Sequence, residues 1–194
     1  MTRIVAGTAR GRRLRVPPAG TRPTSDRVRE ALFSAVGARI DLSGARVLDL
    51  YSGSGALGLE ALSRGAAHAL LVESNRRAAT VLRGNVADLG LPGAQVVLAS
   101  VGSVLAAGPA EPYDTVFADP PYALAAESVV ADLAALIAHG WLRSGCMIAV
   151  ERATRSEAID WPPGYEVESP RSYGDTRIEL ARYEGPDPAD TVPA

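Results

Sequence analysis

Between Ala45 and Glu151, five short apolar runs alternate with stretches of helical periodicity, and this rhythm admits few folds. The runs are Arg46–Leu50, Ala69–Glu73, Gln95–Leu98, Thr115–Ala118 and Cys146–Glu151. Helix is expected between them, near Ala56–Ser63, Asn75–Leu89, Gly102–Ala107 and Ala125–Ala138. A strand that is apolar on both faces needs cover on both sides. A parallel sheet flanked by its own crossover helices supplies that cover. The expected class is α/β with a mostly parallel sheet.

After Glu151 the rhythm changes. Strand-like runs near Tyr165–Ser169 and Thr176–Tyr183 are joined through Tyr173-Gly174-Asp175, a hairpin signal, so the sheet is expected to finish antiparallel. At the other end, Arg3–Ala6 and Arg12–Val16 flank a turn between Gly7 and Gly11 and read as a basic β-hairpin. Helix is expected from Ser25 to Val36, with Thr24 or Ser25 as N-cap and Val28, Ala31, Leu32 and Ala35 as its apolar stripe. Residues 1–20 are assigned to a hairpin arm, 21–184 to the main domain, and the polar, proline-rich 185–194 to a disordered tail.

Charge divides the chain in the same way. Residues 1–29 hold eight arginines and one acid, a net of +7; the remainder holds 12 basic and 21 acidic residues, a net of −9. A basic arm on an acidic body suggests a polyanionic partner reached through the arm. Every basic residue is arginine, so each phosphate contact could be bidentate. The single cysteine, Cys146, rules out an internal disulfide, and with His68 and His139 it makes no convincing zinc site. No metal is expected. The start Met1–Val5 lacks a long apolar run, and no stretch approaches membrane-spanning length. A cytoplasmic monomer without membrane contact is expected.

Two motifs carry chemistry. Arg46–Leu50 empties into Tyr51-Ser52-Gly53-Ser54-Gly55-Ala56-Leu57-Gly58, a glycine turn from strand into helix. Glycine lets backbone approach a ligand closely, and the first N–H groups of the helix face that ligand. Glu73 ends the next strand 20 residues beyond Gly53, where an acid can accept hydrogen bonds from both ribose hydroxyls of a nucleoside. Both a nicotinamide dinucleotide and S-adenosylmethionine fit this much. Asp49 helps to decide, because a carboxylate before the loop would repel a pyrophosphate and favour a cationic methionine group.

The second motif, Asp119-Pro120-Pro121-Tyr122, follows the fourth run and is far more specific. An exocyclic base amine is a poor nucleophile because its lone pair is delocalised into the ring. Two hydrogen-bond acceptors, the Asp119 carboxylate and a backbone carbonyl such as that of Pro120, would localise that pair by binding both N–H groups. Pro120 and Pro121 fix the backbone, and Tyr122 offers a face on which an extruded base can stack. The methyl of a sulfonium already has an excellent leaving group, so alignment matters more than acid–base strength.

The sequence resembles a known family at these residues. Asp49, Gly53, Gly55, Glu73 and Asp119–Tyr122 are similar to the motifs of class I S-adenosylmethionine methyltransferases acting on amino nitrogens. Gly11-Arg12-Arg13-Leu14, the block Arg22 to Phe33 and the run Gly53 to Arg64 resemble the RsmD family, the 16S ribosomal RNA guanine-N2 methyltransferases named for guanine 966. The resemblance spans roughly residues 3–183. It implies a Rossmann-like, seven-stranded sheet with an antiparallel last strand. It implies a cofactor held by Asp49, Tyr51, Ser52, Gly53, Gly55, Glu73, Ser74, Ser100, Val101 and Asp119, and catalysis by Asp119, Pro120, Pro121 and Tyr122. Ser100-Val101 stands where many relatives have Asp or Asn for the adenine amino group. The implied substrate is 16S rRNA in a small subunit or assembly intermediate.

RNA docking is assigned to Arg10, Arg12, Arg13, Arg15, Arg22, Thr24, Arg27 and Arg29, with Arg171 and Tyr173 as weaker candidates. Three other readings stay open: an adenine-N6 methyltransferase on DNA or RNA, an NAD-dependent oxidoreductase, and a non-catalytic RNA-binding assembly factor.

Overall fold

The computed structural model describes residues 2–17 and 25–187. A short antiparallel hairpin of β1 (Thr2–Arg3) and β2 (Arg13–Leu14) precedes helix α1 (Asp26–Gly37). The alternating region then runs β3 (Arg46–Leu50), α2 (Ala56–Ser63), β4 (His68–Glu73), α3 (Arg76–Leu89), β5 (Ala94–Leu98), α4 (Val101–Ala107), β6 (Tyr113–Ala118), α5 (Ala126–Ala138) and β7 (Leu142–Ala153). Strands β8 (Tyr165–Val167), β9 (Arg171–Tyr173) and β10 (Thr176–Tyr183) complete the sheet.

The sheet order is β5-β4-β3-β6-β7-β10-β8, with β9 also paired to β10. Strands β3 to β7 are mutually parallel, and β10 runs antiparallel to β7, as expected. The order reverses between β3 and β6, which makes that pair the topological switch point. One expectation needs correction: the sheet has eight strands, not seven. Pro170 lacks the N–H that the ladder requires, so the expected run near Tyr165–Ser169 ends at Val167 and pairing with β10 resumes at Arg171.

Side-chain alternation sorts the core into two layers. Val47, Leu71, Phe117 and Ala149 pack with Leu32 and Phe33 of α1, Leu59 and Leu62 of α2, and Leu82 of α3. Leu48, Val72, Val116 and Ile148 pack with Leu105 of α4 and Leu133 and Leu136 of α5 on the opposite face. This two-sided cover explains why the strands read as continuous apolar runs. Helix starts follow local chemistry too. Ser25 caps α1 by accepting from the Val28 N–H, and Asn75 caps α3 by accepting from Arg77 and Ala78 N–H.

The hairpin is seated on this body rather than projecting from it. Ile4, Ala9 and Leu14 are buried in the α1–α2–α3 layer. Val5 and Ala6 N–H donate to the buried Glu60 carboxylate at 2.7 and 2.9 Å, and Arg64 Nε donates to the same carboxylate at 2.8 Å. Thr8 N–H donates to the Ser63 carbonyl at 2.8 Å. Gly7, at φ 81°, passes so close that a Cβ there would lie 1.8 Å from that carbonyl oxygen. The expected boundary at residue 20 lies outside the described residues, as do residues 188–194 of the expected tail. Glu60→Ala removes three charge-assisted bonds and strands two amides, so it should lower the unfolding free energy by about 2–4 kcal/mol. Denaturant titration measures the loss, and amide exchange at Val5 and Ala6 should accelerate with it.

Candidate active site

The carboxyl ends of β5, β4, β3 and β6 lie side by side along one edge of the sheet. Leu50 is in register with Ala118, so Tyr51 and Asp119 leave neighbouring strands together, and the Asp119 N–H donates to the Leu50 carbonyl at 3.4 Å. On the other side Leu50 is in register with Val72, and the Ser52 N–H donates to the Val72 carbonyl at 2.9 Å. The Glu73 carboxylate then accepts from Gly53 N–H at 2.9 Å and Asn75 N–H at 2.6 Å, tying the glycine turn to the end of β4. Glu73 pairs with Leu98, which brings Ser100 and Val101 next along the edge. The four expected segments are therefore contiguous: Ser100–Val101, Glu73–Ser74, Tyr51–Gly55 and Asp119–Tyr122.

The turn itself is built from left-handed backbone. Tyr51, Gly53 and Gly55 have φ of 63, 54 and 83°, and among the described residues Tyr51 is the one non-glycine with positive φ. A bulky residue there is strained and needs its surroundings to hold it. The Tyr51 hydroxyl is bonded to the Asp132 carboxylate on α5, and burial and this bond push its pKa upward. Burial raises Asp132 as well. The glycines divide the work. A Cβ on Gly55 would lie 2.4 Å from Leu82 Cδ1, and one on Gly58 would lie 2.2 Å from Leu71 Cδ2, so both serve close packing. A Cβ on Gly53 would meet only the Tyr51 carbonyl, at 4.0 Å, so Gly53 faces open space.

The expected role of Asp49 changes. Strand alternation points residue 49 toward α2, and its buried carboxylate accepts from the Gly58 N–H at 2.9 Å instead of standing on the cleft surface. Burial pushes its pKa up to about 7, opposed by the Gly58 bond and reinforced by the charge of Glu73. Ser52 is buried, and its hydroxyl donates to the Asp49 carbonyl at 2.7 Å. Ser100 is exposed and caps α4, accepting from the Ser103 N–H at 3.2 Å, while Val101 is buried. Ser74 is exposed. In the second motif Asp119 is half-buried, Pro120 is buried, Pro121 is exposed and Tyr122 is 43% exposed. The Leu124 N–H donates to the Pro121 carbonyl at 2.8 Å, turning the chain toward α5.

A family model described as "Conserved hypothetical protein 95" matches residues 2–182. The chain belongs to this family. Its relatives include Ribosomal RNA small subunit methyltransferase D of Escherichia coli strain K12, 38% identical over 97% of this chain and 93% of that protein. The protein of the same name from Haemophilus influenzae is 37% identical over 77% of each chain. The solved structure of yhhF from Escherichia coli superposes with a TM-score of 0.81 at 38% identity, covering 94% of this chain and 97% of that one. A hypothetical protein from Thermus thermophilus gives a TM-score of 0.77 at 33% identity, covering 95% of this chain and 100% of that one. The RsmD resemblance and the Rossmann-like methyltransferase fold are thus both upheld. No helix among the described residues is long and apolar enough to cross a membrane.

The arginines expected to face RNA separate into groups. Arg10, Arg13 and Arg27 are exposed and make no ion pair among the described residues. Arg12 donates to the Asp88 carbonyl and, at 3.1 Å, to the Leu89 carbonyl at the end of α3, and Arg15 pairs with the Asp88 carboxylate. Arg29 is a correction. It is fully buried and reaches the Arg3 carbonyl at 2.5 Å and Asp26 at 2.6 Å, so it braces α1 against β1 and does not meet a phosphate. Arg22 and Thr24 lie outside the described residues. Arg171 is exposed and Tyr173 half-buried.

Two anchoring residues escaped the sequence reading. Arg152, buried at the end of β7, donates from both terminal nitrogens to the Leu124 carbonyl at 3.3 Å and so braces the segment after Tyr122. Asn85 of α3 donates to the Ser54 and Arg15 carbonyls at 2.8 Å and accepts from the Arg15 N–H at 2.9 Å. A charged or amide residue on an otherwise apolar face was the available signal for each.

The raised pKa of Asp49 predicts a pH effect. The folded state holds this proton more tightly than the unfolded chain, whose pKa stays near 3.8. The resulting stability is complete below about pH 4 and is lost as pH rises through about 7. Asp49→Asn should therefore flatten the fall in Tm between pH 5 and pH 8, measured by thermal unfolding without cofactor. Parallel wild-type and variant curves would contradict it.

Proposed function

We propose that this protein transfers a methyl group from S-adenosylmethionine to the exocyclic N2 of a guanine in 16S rRNA of the small ribosomal subunit. The observation that carries this reading is the parallel register of Leu50 with Ala118, which brings the Asp119–Tyr122 segment beside the glycine turn. The names of the relatives supply the class of substrate, ribosomal RNA of the small subunit.

The residues along the edge fit the cofactor. Left-handed Gly53, with open space where a Cβ would be, allows close backbone approach, and the neighbouring Glu73 carboxylate is suited to ribose hydroxyls. Tyr51 to Gly55 would hold the methionine part, and Ser74, Ser100 and Val101 the adenosine part. When bound, the group supplies an electrophilic methyl on a sulfonium that departs as a neutral thioether.

The remaining chemistry is positional. Asp119 and the Pro120 carbonyl accept the two N2 hydrogens and turn the nitrogen lone pair out of the ring plane toward the methyl. The two prolines keep those acceptors from drifting. Tyr122 stacks on the base. Once N2 carries the methyl it would shed one proton, for which the Asp119 carboxylate would be the acceptor. Exposed Arg10, Arg13 and Arg27 contact the RNA backbone and supply salt-dependent affinity.

The test uses small-subunit particles from a strain lacking this protein, labelled cofactor and nucleoside analysis. Label should appear as N2-methylguanosine. Asp119→Ala should cut turnover roughly 10²–10³-fold. Label in N6-methyladenosine would replace this reading with the adenine one, and transfer by Asp119→Ala at the wild-type rate would remove Asp119 from the chemistry.

A further inference from the structure

Beside the second motif lies a cavity of about 220 Å³, lined by Tyr122, Ala153, Thr154, Arg155 and Asp175. Four of these residues, Ala153, Thr154, Arg155 and Asp175, belong to neither motif. The cavity sits where ligands enter an open α/β sheet, at the carboxyl ends of β6 and β7. Its two walls are locked together. Ala153 is in register with Thr176, and the Thr154 N–H donates to the main-chain carbonyl of Asp175 at 2.9 Å. The Asp175 carboxylate is therefore carried on a turn whose position the sheet fixes. The volume falls below the roughly 300–1,000 Å³ of pockets for drug-sized molecules. It suits one flat base rather than a whole nucleotide.

The lining has a definite polarity. A carboxylate only accepts hydrogen bonds, a guanidinium only donates, and a threonine hydroxyl does either. Around its edge guanine presents N2–H₂ and N1–H as donors, then O6 and N7 as acceptors. Adenine presents N1 as an acceptor and N6–H₂ as a donor, which is the reverse at both ring positions. With N2 turned toward Asp119, an acid and then an arginine match the N1–H and the O6 and N7 of guanine, whereas adenine in the same pose would set its N1 against the acid and its N6–H₂ against the arginine.

We infer that this cavity receives the target base and reads it as guanine, Asp175 accepting from N1–H and Arg155 donating to O6 and N7. The inference rests on the guanine-N2 reading above and deepens it. N2 and its two hydrogens stay free for Asp119 and the Pro120 carbonyl, and Tyr122 covers one face of the ring. Asp175 and Arg155 are thus specificity-determining residues, distinct from the group that aligns the nucleophile.

The experiment compares wild type with Asp175→Asn and Arg155→Gln on unmethylated small-subunit particles. Affinity for S-adenosylhomocysteine is measured on the same samples. The Asn change keeps the main-chain bond to Thr154. Each variant should lose at least tenfold in kcat/KM for N2-methylguanosine formation, with S-adenosylhomocysteine affinity within twofold of wild type. Wild-type kcat/KM in Asp175→Asn would overturn the inference, as would a loss matched by an equal loss of S-adenosylhomocysteine affinity. If the wild type itself labels adenine, the guanine-N2 reading fails first. If it labels guanine and Asp175→Asn is unimpaired, only the base-reading role fails.

Discussion

The parallel ladder between β3 and β6 is the constraint on which the rest of the site depends. It is the point where strand order reverses, so chains leaving the two strands diverge to opposite faces and open a crevice between them. The Asp119 N–H on the Leu50 carbonyl closes the last rung of that ladder. A slip of one residue would turn every side chain of β6 to the other layer, exchanging Phe117 and Val116 between two different cores. The register is therefore specified by burial on both faces. The relation between the glycine turn and the Asp-Pro-Pro-Tyr segment is set by the hydrophobic core, well away from any ligand.

Around that crevice, buried and half-buried polar groups act as braces. Asp49 holds the start of α2 through Gly58, Asp132 holds the Tyr51 hydroxyl, and Arg152 holds the Leu124 carbonyl. Each secures backbone on one side of the crevice to an element beneath it. A reaction that needs alignment above all is served by such second supports, because an acceptor that drifts by an ångström loses much of its effect. The same economy appears in the hairpin and α1, where Arg12, Arg15 and Arg29 serve the fold and leave Arg10, Arg13 and Arg27 outward.

Much of this was legible in the sequence. The Arg46–Leu50 strand and the Ala56–Ser63 helix fall where apolar runs and periodicity put them, because burial on one or two faces leaves a pattern in composition. The eighth strand was not legible as such, since Pro170 interrupts a ladder that a run of strand-forming residues suggests is continuous. The direction of Asp49 was also hidden. Its alternation was readable, but the presence of Gly58 above it depends on how α2 packs. Arg29 failed for a related reason: charge reads as surface unless a partner is known, and its partners, the Arg3 carbonyl and Asp26, come together only in the fold. Sequence pattern reports burial well and reports pairing between distant segments poorly.

Asn85 joins two such segments with one side chain, gripping Arg15 after the hairpin and the Ser54 carbonyl in the glycine turn. The consequence concerns modularity. The N-terminal hairpin cannot be cut off, swapped or grafted as though it were a tag. Its removal would leave the Asn85 amide half-satisfied, the Glu60 carboxylate without two of its donors, and the apolar ground under Ile4 and Leu14 wetted. Evolution of the exposed Arg10 and Arg13 is confined to the rim of an element whose base is tied, through one side chain, to the glycine turn.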